Sequence, residues 1–157
     1  MIDKQFWQGK RVFLTGHTGF KGSWISIWLN HLGACVHGFA LSPPTSPSLY
    51  DIAKIDHIVK SQIGDIRNFE LLYKSMVNFN PDILIHMAAQ PLVRYSYHNP
   101  LETYEINVLG TANVLEAARN CDNLKAIINI TTDKCYENEG YDKKYKETDP
   151  MGGYDPY

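Results

Sequence analysis

Apolar runs and helical spacings alternate along the chain from its first residues. Arg11-Val-Phe-Leu-Thr15 is a short apolar run ending in glycines, the pattern of a buried strand. Ser23 to Leu32 places Trp24, Ile25, Ile27, Trp28, Leu29 and Leu32 on a broad helical face, with Gly33 as its stop. Cys35 to Leu41 predicts the next strand, and the Pro- and Ser-rich stretch 42–48 breaks regular structure. Gln62-Ile-Gly64 predicts a short, weak strand. Asn68 to Asn78 predicts a helix capped by Asn68, with Phe69, Leu72, Met76 and Phe79 near one face. Pro81 punctuates before a strand from Ile83 to Met87. Leu101 to Arg119 is the longest helical pattern, in which Gly110 costs up to ~1 kcal/mol relative to alanine. Lys125 to Ile130 predicts the last strand. The polar, Gly-rich stretch from Tyr136 to Tyr154 reads as loop.

Five strands separated by helical or turn segments imply a parallel sheet. Its crossovers are right-handed, so helices cover both faces. The fold class is α/β, a Rossmann-like doubly wound sheet in one domain over residues 1–157, without internal repeat. Hydrophobic residues make up 44% of the chain, which excludes intrinsic disorder. A net charge of −2 with no basic cluster argues against a nucleic-acid partner. The group Lys143, Lys144 and Lys146 is broken by Tyr145 and followed by acids, and reads as a solvated loop. No apolar run approaches the ~20 residues that span a bilayer, and Met1 to Arg11 lacks a signal peptide's apolar centre. Cys35, Cys121 and Cys135 are odd in number and lack metal-type spacing, with Cys35 and Cys121 near elements predicted to be buried. Reduced thiols, a cytoplasmic location and no metal site are the expectations.

Chemistry enters directly after the first strand, at Thr15-Gly16-His17-Thr18-Gly19-Phe20-Lys21-Gly22. Gly16 permits a tight turn with unusual dihedrals. Gly19 lets backbone approach a pyrophosphate, and Gly22 lets helix and strand pack closely. The helix N-terminus then offers free N–H groups to phosphates. A phosphate-binding P-loop is excluded, because Lys21 precedes Gly22 instead of following a glycine and preceding Ser or Thr. The second strand ends at Leu41-Ser42, with neither an acid for a ribose nor a base for a 2′-phosphate, so these residues leave NAD and NADP open.

The chain resembles the extended short-chain dehydrogenase/reductase family, and within it the nucleotide-sugar 4,6-dehydratases that act on CDP-glucose. The likeness covers essentially all 157 residues. It is carried by TGHTGFKGSW (Thr15 to Trp24), GDIR (Gly64 to Arg67), HMAAQPLVR (His86 to Arg94), NVLGT (Asn107 to Thr111), TDKCY (Thr132 to Tyr136) and PMGGYDPY (Pro150 to Tyr157). The resemblance implies NAD as cofactor, held by Gly16, Thr18, Gly19, Phe20, Lys21 and Gly22. It implies an adenine-contacting pair at Asp65 and Ile66. Ala88, Ala89 and Gln90 would line the cofactor channel, and Asn107 would organise the site. Read without the likeness, Asp65 is a turn residue, His86 a packed histidine, and Thr132 and Asp133 strand-end residues.

The implied reaction is an internal redox dehydration of CDP-D-glucose to CDP-4-dehydro-6-deoxy-D-glucose, a step toward 3,6-dideoxyhexoses and lipopolysaccharide O-antigen. The implied catalytic set is Tyr157 as base at the C4 hydroxyl, Thr132 as its hydrogen-bond partner, Asp133 as acid at the C6 hydroxyl and Lys134 as base at C5. A free tyrosine has a pKa of about 10, so cations must lower it for this work. The resemblance puts a lysine four positions beyond Tyr157, where the sequence has ended, together with later strands and a substrate-binding region. The expectation is therefore that this chain alone is inactive and that its last strand is an exposed edge. The resemblance also implies a homodimer through two helices per subunit, one of them Leu101 to Arg119. The alternatives are another nucleotide-sugar dehydratase or epimerase on the same scaffold, or a non-catalytic NAD-binding fragment.

Overall fold

In the computed structural model, which describes residues 3–137, 140, 142 and 144–157, the chain runs through alternating helices and strands. In order these are α1 (Lys4–Trp7), β1 (Arg11–Thr15), α2 (Phe20–His31), β2 (Cys35–Ala40), α3 (Leu49–Ile52), β3 (Lys60–Ile63) and α4 (Phe69–Phe79). Then follow β4 (Ile83–His86), α5 (Val93–His98), α6 (Pro100–Tyr104), a π-helical turn (Glu105–Gly110), α7 (Thr111–Ala118) and β5 (Ala126–Asn129). All strand pairs are parallel, in the order β3-β2-β1-β4-β5. This is the Rossmann-like doubly wound sheet, and the order reverses between β1 and β4.

Period-two alternation along the central strands divides the core in two. Val12 and Leu14 of β1, with Ile83 and Ile85 of β4, pack beneath α2 with Leu29 and Val36. Phe13 and Leu84 point the other way, to Phe39, Leu72, Met76 and Val114 beneath α4 and α7. Strands buried on both faces read as continuous apolar runs, which is why β1 and β4 were legible as strands.

Helix α2 begins three residues before the predicted start, and its packing corrects the broad apolar face. Leu29 and Leu32 are buried, but Trp24 and Trp28 are 54% and 46% exposed. The residues turned inward are small: Gly22, Ser23 and Ser26. Their hydroxyls are satisfied locally, Ser23 donating to the His17 carbonyl and Ser26 to that of Gly22. Close approach of helix to loop leaves no room for larger side chains there.

Asn68 caps α4, its Oδ1 accepting from the Leu71 N–H at 3.1 Å. Asn68→Ala is expected to cost about 1 kcal/mol, read from the urea midpoint at unchanged slope. The predicted helix over 101–119 is present, interrupted by the π turn. Its Gly110 has a reason that periodicity did not show: a Cβ there would lie 2.6 Å from Ile66 Cδ1. Strand β5 sits at the sheet edge with all four residues exposed, as expected for the last strand. Cys35 is exposed where a buried neighbourhood was expected, while Cys121 is buried. Parts of the expected loop over 136–154 (residues 138, 139, 141 and 143, with the Lys143 of the lysine group) lie outside the described residues. Among the described residues no helix is long and apolar enough to cross a membrane.

Candidate functional site

The loop after β1 is built around two glycines that tolerate no side chain. Gly16 has φ +79°, and a Cβ on it would lie 2.9 Å from the Ala88 nitrogen. A Cβ on Gly22 would lie 2.0 Å from the Gly16 carbonyl oxygen. Gly19 differs, since a Cβ there meets nothing closer than that same oxygen at 3.4 Å. Gly19 is also the N-cap of α2 and gives its first-turn amides no side-chain acceptor. Uncapped amides at the positive end of a helix, beside open space, suit an anion. Phe20 and Lys21 in that first turn are exposed, and the buried Thr18 donates its hydroxyl to the Leu41 carbonyl at 2.8 Å, joining the loop to the end of β2. His17 is buried with its Nε2 2.7 Å from Ser61 Oγ on β3.

Asp65 and Ile66 follow β3. The Asp65 carboxylate is gripped by the Arg67 guanidinium, with contacts of 2.6, 2.9 and 3.1 Å. Those hydrogen bonds hold its pKa below the ordinary carboxylate value. Arg67 also reaches toward Glu102 and Glu105, at 3.7 and 3.6 Å. Ile66 is buried, and its carbonyl accepts from Asn113 Nδ2 at 3.0 Å.

A cleft of about 390 Å³ opens at the carboxyl ends of β4 and β5, one strand along from the β1–β4 reversal. Ligands of open α/β sheets bind outside the carboxyl ends of the strands, at such a reversal. Its walls include Ala88, Ala89, Asn107, Thr132 and Tyr157, so five of the residues singled out from the sequence converge there. Asn107 clamps the wall opposite: its Oδ1 accepts from the Gln90 N–H at 2.8 Å and its Nδ2 donates to the Gln90 carbonyl at 3.1 Å. The Gln90 amide itself is engaged inside the protein with Thr103 and Leu92, and it does not line the cleft.

Asp133 and Lys134 are exposed and stand outside the cleft lining. Lys134 Nζ lies 3.3 Å from Asp155 Oδ2, and Asp155 Oδ1 accepts from the Tyr157 N–H at 3.1 Å. Asp155 therefore ties Lys134 to Tyr157. Sequence reasoning passed over it, along with Tyr104 and Thr111, which line the cleft together with His86. The spacing Asn107-x-x-x-Thr111 on one helix face was the available signal for Thr111. His86 is indeed packed, and burial lowers its pKa to about 4. A second depression, about 450 Å³ on α2 between Trp24, Trp28 and His31, is nearly all apolar and has little to orient a polar ligand. Among the described residues no group of three His, Cys, Asp or Glu could hold a metal ion.

Comparison with known proteins adds to this geometry. Residues 13–157 match the sequence profile described as GDP-mannose 4,6 dehydratase. Over all 157 residues the chain is 59% identical to the CDP-glucose 4,6-dehydratase of Salmonella typhimurium, of which it spans 44%. It is 39% identical over 100 residues to the CDP-paratose 2-epimerase of Salmonella typhi, covering 59% of this chain and 29% of that one. Among solved structures it is similar to a UDP-glucose 4-epimerase from Bifidobacterium longum in complex with NAD+ and UDP. That likeness has a TM-score of 0.79 at 27% identity, over 94% of this chain and 44% of the other.

Proposed function

Since the chain belongs to the GDP-mannose 4,6 dehydratase family, we propose that it is the NAD-binding portion of a hydro-lyase converting CDP-D-glucose to CDP-4-dehydro-6-deoxy-D-glucose. The observation that carries this is the convergence of Ala88, Ala89, Asn107, Thr132 and Tyr157 on one cleft at the carboxyl ends of β4 and β5. The 59% identity to a CDP-glucose 4,6-dehydratase supports CDP-glucose over other sugar nucleotides.

The residues present fit a dinucleotide. Gly16, Thr18, Gly19, Phe20, Lys21 and Gly22 hold its pyrophosphate at the open N-terminus of α2. Asp65 and Ile66 hold the adenine, and Ala88 and Ala89 form the channel wall, which Gln90 anchors from behind. Bound NAD supplies reversible hydride acceptance. The Tyr157 phenolate takes the proton of the C4 hydroxyl while the Thr132 hydroxyl donates to the C4 oxygen. A ketone at C4 acidifies the C5 proton, which Lys134 removes once it has left Asp155. Asp133 protonates the C6 hydroxyl, which departs as water. With the C4 hydride returned to C6 from the bound cofactor and the C5 proton returned by Lys134, the ring's net loss would be one water molecule.

A homodimer and a cytoplasmic location belong to the same reading. Leu101 and Leu115, outside the cleft, stand exposed on the helix from Pro100 to Ala118 and offer apolar surface to a second copy. The free cysteines suit a reducing compartment.

Calorimetric titration of the purified chain tests the cofactor. NAD is expected to bind more tightly than NADP, in keeping with the similar epimerase structure that holds NAD+. Failure to bind NAD overturns the reading. Offering CDP-, dTDP- and GDP-glucose to the protein that carries this chain with its substrate region tests the sugar. A keto-sugar absorbing in alkali is expected from CDP-glucose first.

A further inference from the structure

One imidazole joins the carboxyl end of β4 to the helix behind it. His86 is 2% exposed, with Nδ1 2.6 Å from Thr15 Oγ1 and Nε2 3.0 Å from Thr111 Oγ1. What else these hydroxyls do decides where the protons lie. Thr111 donates its hydroxyl hydrogen to the Asn107 carbonyl at 2.7 Å, so toward His86 it can only accept, and Nε2 carries the proton. Nδ1 is then an acceptor. Thr15 donates to it, while the Thr15 oxygen accepts from the Met87 and Ala88 N–H groups at 3.0 and 3.1 Å. At the far end Asn107 grips both backbone polar groups of Gln90. The wall carrying Ala88 and Ala89 is thus fastened at its start by Thr15 and at its end by Asn107, and His86 connects the two fastenings.

We propose that His86, protonated on Nε2, is a positioning residue for the cleft. Through Thr111 it fixes the π-helical turn that presents Asn107, and through Asn107 it sets the Ala88–Gln90 wall against which bound NAD rests. This builds on the cofactor reading above. Burial, which lowers the pKa of His86 to about 4, keeps the ring neutral and the direction of the chain single-valued near neutrality. Removing the Thr111 hydroxyl leaves the buried His86 Nε2–H without its partner, which packing alone does not restore.

Thr111→Val deletes the relay hydroxyl with little change of shape, and Thr111→Ser keeps it. Long-range proton–nitrogen NMR of the purified wild-type chain is expected to show the Nε2–H tautomer of His86. Thr111→Val is expected to raise the NAD dissociation constant roughly fivefold, the loss of about one net hydrogen bond, with Thr111→Ser within about twofold of wild type. An Nδ1–H tautomer overturns the proposal. So does a Thr111→Val chain whose melting midpoint falls while its NAD affinity stays unchanged, the result of packing alone. If wild type binds no NAD, the cofactor reading fails instead, and hydrogen exchange at the Asn107 side-chain amide decides the relay. Faster exchange in Thr111→Val supports it, and equal exchange overturns it. Should Thr111→Val not fold, the wild-type tautomer and the Thr111→Ser affinity carry the same decision.

Discussion

Gly22→Ala is expected to destabilise the chain by on the order of 3–5 kcal/mol, the range of severe backbone and packing clashes. Alanine inside a helix ordinarily stabilises by up to about 1 kcal/mol over glycine, so the sign itself is diagnostic. The added carbon would lie 2.0 Å from the Gly16 carbonyl oxygen and 2.8 Å from His17 Cα. Both are backbone atoms, so no rotamer change relieves the overlap, and either α2 or the loop must move. For a chain of this size the melting midpoint should fall by roughly 10 °C, at 2–4 °C per kcal/mol. Gly19→Ala, three residues earlier, provides the contrast. Its carbon meets only one atom, at 3.4 Å, and the midpoint should shift by less than about 1 kcal/mol equivalent. NAD affinity should nevertheless fall about tenfold or more, since that open space is where a pyrophosphate approaches the helix amides. Circular dichroism melts and calorimetry on the two variants separate fold from ligand. An unchanged midpoint for Gly22→Ala contradicts the packing argument, and unchanged NAD affinity for Gly19→Ala contradicts the cradle.

The same pair of glycines shows what a sequence can and cannot display. Strand β1 was legible to the residue because Val12, Phe13 and Leu14 are buried on both faces, and such strands leave an uninterrupted apolar run. Helix α4 was legible from its Asn68 cap and its buried Leu72 and Met76. Periodicity failed at α2, where bulky Trp24 and Trp28 mimic a core-facing stripe while small residues carry the contact. It also failed at α1, α3 and α5, each six residues or fewer, too short for a 3.6-residue period to register. The π turn was invisible because apolar spacing does not report which carbonyl an amide selects.

For the site, the glycine loop was readable by local logic, since all of its groups lie within eight residues. The cleft was not. Thr15, His86 and Thr111 meet only because the β1–β4 register sets Thr15 opposite His86 and α7 crosses behind them. Tyr157 and Thr132 were singled out only through family likeness, and Asp155, which ties Lys134 to Tyr157, was not singled out at all. Polar partnerships between distant segments depend on register and crossover, which hydrophobic patterning constrains only indirectly.

Acid is expected to unfold the chain well above the range where carboxylates titrate. His17, His37 and His86 are 0%, 2% and 2% exposed, and burial lowers each pKa from 6.5 to about 4. His37 lowers the value for His17 further by like-charge repulsion, and Lys60 does the same to His37. In the unfolded chain the same rings titrate near 6.5. Between these values the unfolded state binds more protons, so stability falls as pH drops below about 6.5, by up to about 4 kcal/mol per pH unit when all three rings differ. Each ring contributes on the order of 3 kcal/mol at neutrality, lost by about pH 4, where both states are charged. For a total near the lower end of the typical range of about 5–15 kcal/mol, an unfolding midpoint near pH 5 follows. The Nδ1 atoms of His17 and His37 are buried without hydrogen-bond partners, and burial opposes a charge on either ring. Asp65 does not act in this window. Its folded pKa is lowered, so its contribution disappears only below the ordinary carboxylate value. Urea midpoints measured from pH 7.5 to 4.5 give the slope directly. His37→Gln removes one titrating ring and should flatten that slope by about a third, whatever it does to stability at pH 7.5. Stability that stays level down to pH 4.5 would mean that these three imidazoles accept protons in the folded chain, and with His86 charged on both nitrogens Thr15 could no longer donate to it.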